Sequence, residues 1–265
     1  MNARSERWPR LLSQAEAWLP IYLERTRRLS HAKKGIRPSE LFFFYAVVAP
    51  LKPARIVESG RARAQSTLVL SRLFPKTSIV SLESDANSPD VALAAERLRG
   101  CENVECLFGD SLRVLPGLVQ AGDVVLIDGP KDFRALKLAF RLLRGGQPAA
   151  VFVHDLWPGS PARKFVDRSL PSALLSDNRQ WVERYAKLDS SKRTPPFESS
   201  SGRWAYGATL GCFEKETANY GRLLSQCSAA QGADRIRETA RKILRRPATV
   251  RPKDFAPQPG STRDR

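Results

Sequence analysis

The chain has 265 residues, 42% of them hydrophobic, which suits one sizeable domain with attachments and makes two full domains a tight fit. With 44 Lys and Arg against 27 Asp and Glu the formal charge is +17, a field that attracts nucleic acid, acidic glycans or anionic headgroups without dictating a fold. Cys101, Cys106, Cys212 and Cys227 lack paired metal-ligand spacing and only His31 and His154 could assist them, which argues against zinc or a disulfide framework and for reduced thiols in a cytoplasmic protein.

The first ten residues, MNARSERWPR, are basic but lead into no apolar run, so a secretory signal is not expected. Over 8–23, Trp8, Leu11, Leu12, Ala15, Leu19 and Tyr22 recur at helical spacing, with Pro20 complicating the last turn. That stripe suits a helix packed on the domain's side; a helix lying on a membrane surface is the alternative. Ser39 is the expected N-cap of the next helix, and APLKP closes it. Its core, LFFFYAVVA (41–49), would extend only about 14 Å at 1.5 Å per residue, so a buried helix is expected and not a transmembrane segment.

From Ala54 the rhythm changes. ARIVES, TSIVSLE, NVECLFGD, DVVLIDG and AAVFVHD are short apolar runs, and helix-like STLVLSRLF, DVALAAERLRG, SLRVLPGLVQ and FRALKLAFRLLRGG lie between them. The alternation predicts an α/β fold, a mostly parallel sheet with helices on both faces and right-handed crossovers. Two later runs, 181–188 and 206–215, suit an antiparallel hairpin at one sheet edge, joined by a long Pro/Ser-rich surface loop or lid. Over 231–265 ten basic residues face four acidic ones, and the final third has little to bury, so a basic helix with a disordered tail is expected. The organisation read from the chain is an N-terminal helical segment (1–53), an α/β domain (54–215) and a C-terminal extension (216–265).

In open parallel sheets the ligand lies outside the carboxyl ends of the strands, where strand order reverses. Five predicted strands end in a carboxylate: Glu58, Glu83, Asp110, Asp128 and Asp155. Glu83 follows Gly60 by 23 residues, close to the spacing at which an acid meets ribose hydroxyls. Asp110 could accept from an adenine amine or cap the following helix; Asp128 and Asp155 could share a hard cation such as Mg²⁺.

The stretches ESGRARAQST, SLESD, LIDGPKD and VFVHD, in that order, resemble class I S-adenosylmethionine-dependent methyltransferases, and more narrowly bacterial small-molecule O-methyltransferases whose motifs read E-x-G-x-x-x-G-x-S-T, then D-G, then H-D. The resemblance spans about 60% of the chain. It implies a Rossmann-like seven-stranded sheet with its last strand antiparallel, and S-adenosylmethionine as cofactor. Glu58 and Gly60 would then face the methionine moiety, Glu83 the ribose and Asp110 and Ser111 the adenine, with Ser66 also binding the cofactor and Asp128 close to the amino-acid end or the reacting centre. In metal-assisted relatives the acids matching Asp128 and Asp155 hold Mg²⁺. Lys131 or His154 could take the acceptor's proton, His154 with an unperturbed pKa about 6.5, Lys131 only with its pKa lowered.

One departure is visible: the second loop glycine is Ala64, and Ala62 stands where many relatives carry another. A positive φ there would cost about 1–3 kcal/mol, whereas a helical Ala64 would be benign, and the helical state is expected. Arg61 and Arg63 either hold an anionic substrate group or project into solvent. The expected activity is methyl transfer to a hydroxyl of a small molecule or saccharide, Mg²⁺ being optional and a homo-oligomer allowed. The rival is a scaffold without chemistry whose basic termini hold nucleic acid or an acidic glycan, although no aromatic-interleaved basic motif of a nucleic-acid module is present.

Overall fold

The computed structural model describes residues 3–29, 35–146, 148–189, 197–198, 204–215 and 218–244. Helix α1 (Ala3–Thr26) and helix α2 (Pro38–Val48) precede the first strand. Then β1 (Arg55–Ser59), α3 (Gln65–Leu73), β2 (Ser78–Glu83), α4 (Asp90–Arg97), β3 (Val104–Phe108), α5 (Ser111–Leu118), β4 (Val124–Ile127), α6 (Asp132–Arg144) and β5 (Ala150–Val153) alternate as expected. Helix α7 (Pro161–Ser169), β6 (Leu174–Leu175), α8 (Arg179–Tyr185), β7 (Phe197–Glu198), β8 (Trp204–Ala205), β9 (Gly211–Glu214) and α9 (Tyr220–Leu244) complete the described chain.

Seven strands form one sheet in the order β3-β2-β1-β4-β5-β9-β6, with β9 antiparallel to both neighbours. This is the Rossmann-like mixed sheet that the alternation and the resemblance predict. Order reverses between β1 and β4, which pair in parallel from Ile56 with Val124 to Ser59 with Ile127. A ligand crevice therefore belongs at the ends of these two strands.

The sheet is apolar on both faces because successive strand side chains point oppositely. Ile56, Ile79, Val124, Leu126 and Phe152 meet α1, α2 and α8. Val57, Val80, Leu82, Val125, Ile127 and Val153 meet α5, α6, α7 and α9. Helix α2 is buried along its whole length, as an all-round apolar helix must be. The face of α1 carrying Leu11, Leu12, Ala15 and Tyr22 lies in that core, which removes it from membrane-surface duty. No helix among the described residues is long and apolar enough to cross a membrane.

Two local expectations are corrected. Residues 181–188 are not a strand: Asn178 caps α8 by accepting from Gln180 and Trp181 N–H, and Trp181, Val182 and Tyr185 face the core at helical spacing. The edge partner of β9 is instead β6. Ser39 is not the N-cap of α2; Arg37 is, with Pro38 in the first turn, where a missing N–H costs nothing. Ser39 N–H and hydroxyl both donate to buried Asp189, at 2.8 and 2.6 Å. Of the expected lid, β7 and β8 form an antiparallel pair, and most of the remainder falls outside the described residues, as does the expected disordered tail beyond 244.

Candidate active site

Gly60 at the end of β1 and Gly129 at the end of β4 abut backbone to backbone. A Cβ on Gly60, at φ +87°, would lie 2.7 Å from Gly129 N and 2.8 Å from Asp128 C, so no side chain is tolerated. Ser59 and Ser111 hydroxyls donate to Gly129 O at 2.5 and 3.0 Å and fix this junction. Above it opens a cavity of about 340 Å³ lined by Gly60, Leu82, Ser84, Asp110, Ser111 and Pro130. Asp110 both reaches this cavity and caps α5, accepting from Leu112 N–H at 2.9 Å.

The loop after β1 departs from expectation at Ala64 and Arg61. Ala64 is not helical but left-handed, at φ 56° and ψ 32°, and Ala62 has φ 43°. Both alanines therefore hold a conformation that a glycine adopts without steric cost. Arg61 neither holds an anion nor projects into solvent: it is 3% exposed, donates to Ser81 O at 2.6 Å and Leu107 O at 3.2 Å, and lies over the Phe108 ring. Its guanidinium pins the turn to β2 and β3, which is how the strained backbone is kept. Arg63 pairs with Asp90 across the surface at 2.8 Å.

Glu58 and Ser66 lie beneath the loop. One Glu58 oxygen accepts from Thr67 and, at 2.8 Å, from Ser81; the other, Oε1, is buried without a hydrogen-bond partner. Burial pushes this carboxyl up, the hydroxyls of Ser66, Thr67 and Ser81 hold it partly down, and Asp128 adds to the rise. Glu83 accepts from Ala62 N–H at 2.7 Å and Ser84 N–H at 2.8 Å. Burial alone would raise its carboxyl, but these donors with Asp85 N–H outweigh it and hold Glu83 below the usual carboxylate range. In this arrangement Glu83 braces the loop, Oε1 taking Ser84 N–H and hydroxyl and Asp85 N–H, while Oε2 takes Ala62 N–H and keeps one lone pair for a hydroxyl donor.

Asp128, Lys131, His154 and Asp155 form one cluster. The Lys131 ammonium bridges the two acids, 2.5 Å from Asp128 Oδ1 and 2.6 Å from Asp155 Oδ2. His154 is 5% exposed, with Nδ1 2.8 Å from Asp128 and 3.3 Å from Asp155, and Nε2 3.3 Å from Glu40. Burial would lower the imidazole's pKa, yet Asp128 and Glu40 lift it to about 10. Lys131 likewise is held above the usual lysine value by Asp128 and Asp155, against the effect of burial. Asp128 in turn falls below the usual range because His154 and Lys131 outweigh its burial. In this arrangement Lys131 turns two of its three N–H groups to carboxylates, and both ring nitrogens of His154 face acids.

Glu40 is the site residue that sequence reasoning missed. It is 2% exposed on α2, receives Arg37, Ala208 and Thr209 N–H at 2.9, 3.1 and 3.0 Å, and meets His154. A lone acid opening an apolar helix was the available signal; nothing in the spacing ties it to a histidine 114 positions on. Of the six non-glycine residues with positive φ among those described, Ala62, Ala64, Asp132, Asp155 and Thr209 lie at this rim. Strained backbone gathers where a surrounding structure enforces it, commonly at ligand sites.

The Mg²⁺ expectation does not fit this arrangement. Oxygens of Asp128 and Asp155 and a nitrogen of His154 do converge within 4.8 Å of one another. The space between the acids, however, holds the Lys131 ammonium, and the third candidate ligand is an imidazole nitrogen in place of the oxygen a hard cation prefers.

No protein-family model and no curated protein matches the chain. Among solved structures it is similar to the O-methyltransferase TomG of Streptomyces achromogenes, involved in tomaymycin synthesis and crystallised with S-adenosylmethionine, at 17% identity over 74% of this chain and 88% of that one, TM-score 0.45. It is also similar to an O-methyltransferase of Bacillus cereus in complex with S-adenosylhomocysteine, at 17% identity over 77% and 91%, TM-score 0.42. A methyltransferase of Podospora anserina bound to S-adenosylhomocysteine shares 15% identity over 80% and 96%, TM-score 0.40. Likeness at this level carries neither activity nor substrate to this chain.

Proposed function

We propose that the protein is an S-adenosylmethionine-dependent methyltransferase acting on an oxygen of a small molecule. The observation that carries this reading is the cavity at the β1–β4 reversal, side by side with the Asp128–Lys131–His154–Asp155 cluster. The Asp110 and Ser111 side of the cavity suits the adenine, and the side formed by Leu82 and Ser84, which flank Glu83, suits the ribose. The Glu58 oxygen without a protein partner, fully buried behind Gly60, suits the methionine ammonium through a bridging water. The methyl group would then face Asp128, whose negative charge complements the sulfonium.

In the transfer, an acceptor oxygen donates its lone pair to the methyl carbon, the carbon–sulfur pair leaves on sulfur, and the hydroxyl proton departs to water. The protein's share is alignment of the two reactants and stabilisation of the acceptor oxygen by the Lys131 ammonium. Beside the Lys131 ammonium, an acceptor that ionises readily is stabilised as its oxyanion. That favours an acidic hydroxyl, near the tyrosine range of about 10, over a saccharide hydroxyl. Half-exposed Trp157, two positions beyond Asp155, is an available apolar wall for such an acceptor.

Calorimetric titration with S-adenosylmethionine and S-adenosylhomocysteine tests the reading. One saturable site is expected, weakened at least about tenfold in Glu58→Gln by loss of a charge-assisted hydrogen bond worth about 1.5 kcal/mol or more. No heat with either compound would end it. The polyanion reading keeps one supporting observation, a hollow of about 680 Å³ bordered by Arg25, Arg27, Arg28 and Arg72 at the far end of the sheet. The same titration with an oligonucleotide, repeated at higher salt, separates the two: a steep loss of affinity marks phosphate contacts.

A further inference from the structure

We propose that the Lys131 ammonium is a built-in replacement for a divalent cation, filling the position between Asp128 and Asp155 so that the site works without metal and opens to metal only when the ammonium is removed. The inference rests on the reading of this cluster as the reacting centre, but its geometry is independent of any cofactor. Two carboxylate oxygens on different strands converge on one point, and what occupies that point is a nitrogen 2.5 and 2.6 Å away. Both are within charge-assisted hydrogen-bond contact.

Lys131 is tied to the point from its own side as well. It follows Pro130 directly, and it is the residue just before α6. The ammonium has three donors, of which two meet the acids, and its side chain is 44% exposed, so one donor remains for an acceptor oxygen arriving from solvent. A metal ion between paired acids would neutralise them and present a positive charge to the same oxygen. The lysine does both, with one charge where the ion would bring two. His154 contacts both acids as well, at 2.8 and 3.3 Å. The Lys131 cation seated between Asp128 and Asp155 leaves this pair with less electrostatic appetite for a divalent ion.

The test titrates Mn²⁺ into the full chain, without cofactor, and reads free Mn²⁺ by electron paramagnetic resonance. Wild type is expected to show no site that depends on Asp155. Lys131→Met is expected to gain one, with affinity at least about tenfold above the wild-type background, and Lys131→Met with Asp155→Asn to lose it again. Circular dichroism of each variant verifies the fold, which a half-exposed side chain should not upset. An Asp155-dependent Mn²⁺ site in wild type would overturn the proposal. So would no gain in Lys131→Met, or a gain that survives Asp155→Asn. Absence of S-adenosylmethionine binding would instead sink the methyltransferase reading and leave the Mn²⁺ result interpretable.

Discussion

A histidine surrounded by Asp128, Asp155 and Glu40 reports on the whole site through its proton. Its folded pKa of about 10 exceeds its ordinary value of 6.5, so the folded state holds the proton more tightly than the unfolded chain. Stability from this group is therefore fully present below about pH 6.5 and drains away as pH climbs toward about 10. Urea midpoints taken across that range should fall in wild type and show a shallower fall in His154→Gln; equal slopes would contradict a protonated His154. The sequence put His154 at a strand end, and with it the right neighbours Asp128 and Lys131. It could not reveal the protonation state, because that depends on Glu40, which comes from a different part of the chain. Lys131 was legible as a cation near two acids and illegible as a bridge between them.

At the scale of elements, the strand–helix rhythm from β1 to β5 was readable because every buried strand is a short β-branched run and every helix shows a stripe. Trp181–Leu188 misled because a sequence with two aromatics and a valine also suits a strand; Asn178 was the overlooked signal, since its side chain satisfies the first turn of α8. The loop after β1 was misread in the other direction, its helix beginning one residue later than Ala64. Its left-handed alanines carry strain that glycine would relieve. Ala64→Gly should raise folding stability by up to about 1 kcal/mol after glycine's entropy cost, whereas Gly60→Ala should cost about 1–3 kcal/mol through its clash with Gly129. Paired urea denaturation curves measure both, and a destabilising Ala64→Gly would mean that the backbone there is not left-handed.

Across the whole molecule, the two cores on opposite faces of the sheet explain why helices before and after the α/β repeat belong to one body: α1 and α2 cover one face, α9 covers the other. The purely helical pattern of 1–53 gives no sign of where it packs; Phe43 and Phe44 both meet Phe152 on β5. Charge was legible as a sum and not as a distribution, since folding alone decides that Arg61 is interior while Arg25 and Arg72 border a hollow. The Glu40 contacts have a consequence for biosynthesis. This carboxylate emerges from the ribosome far ahead of His154, Ala208 and Thr209, the groups that compensate it, and a buried carboxylate lacking compensation is strongly disfavoured. Helix α2 must accordingly wait, greasy and undocked, until the chain has been synthesised past Thr209. Nascent chains halted before Gly207 should leave α2 open to protease, and chains halted after β9 should protect it.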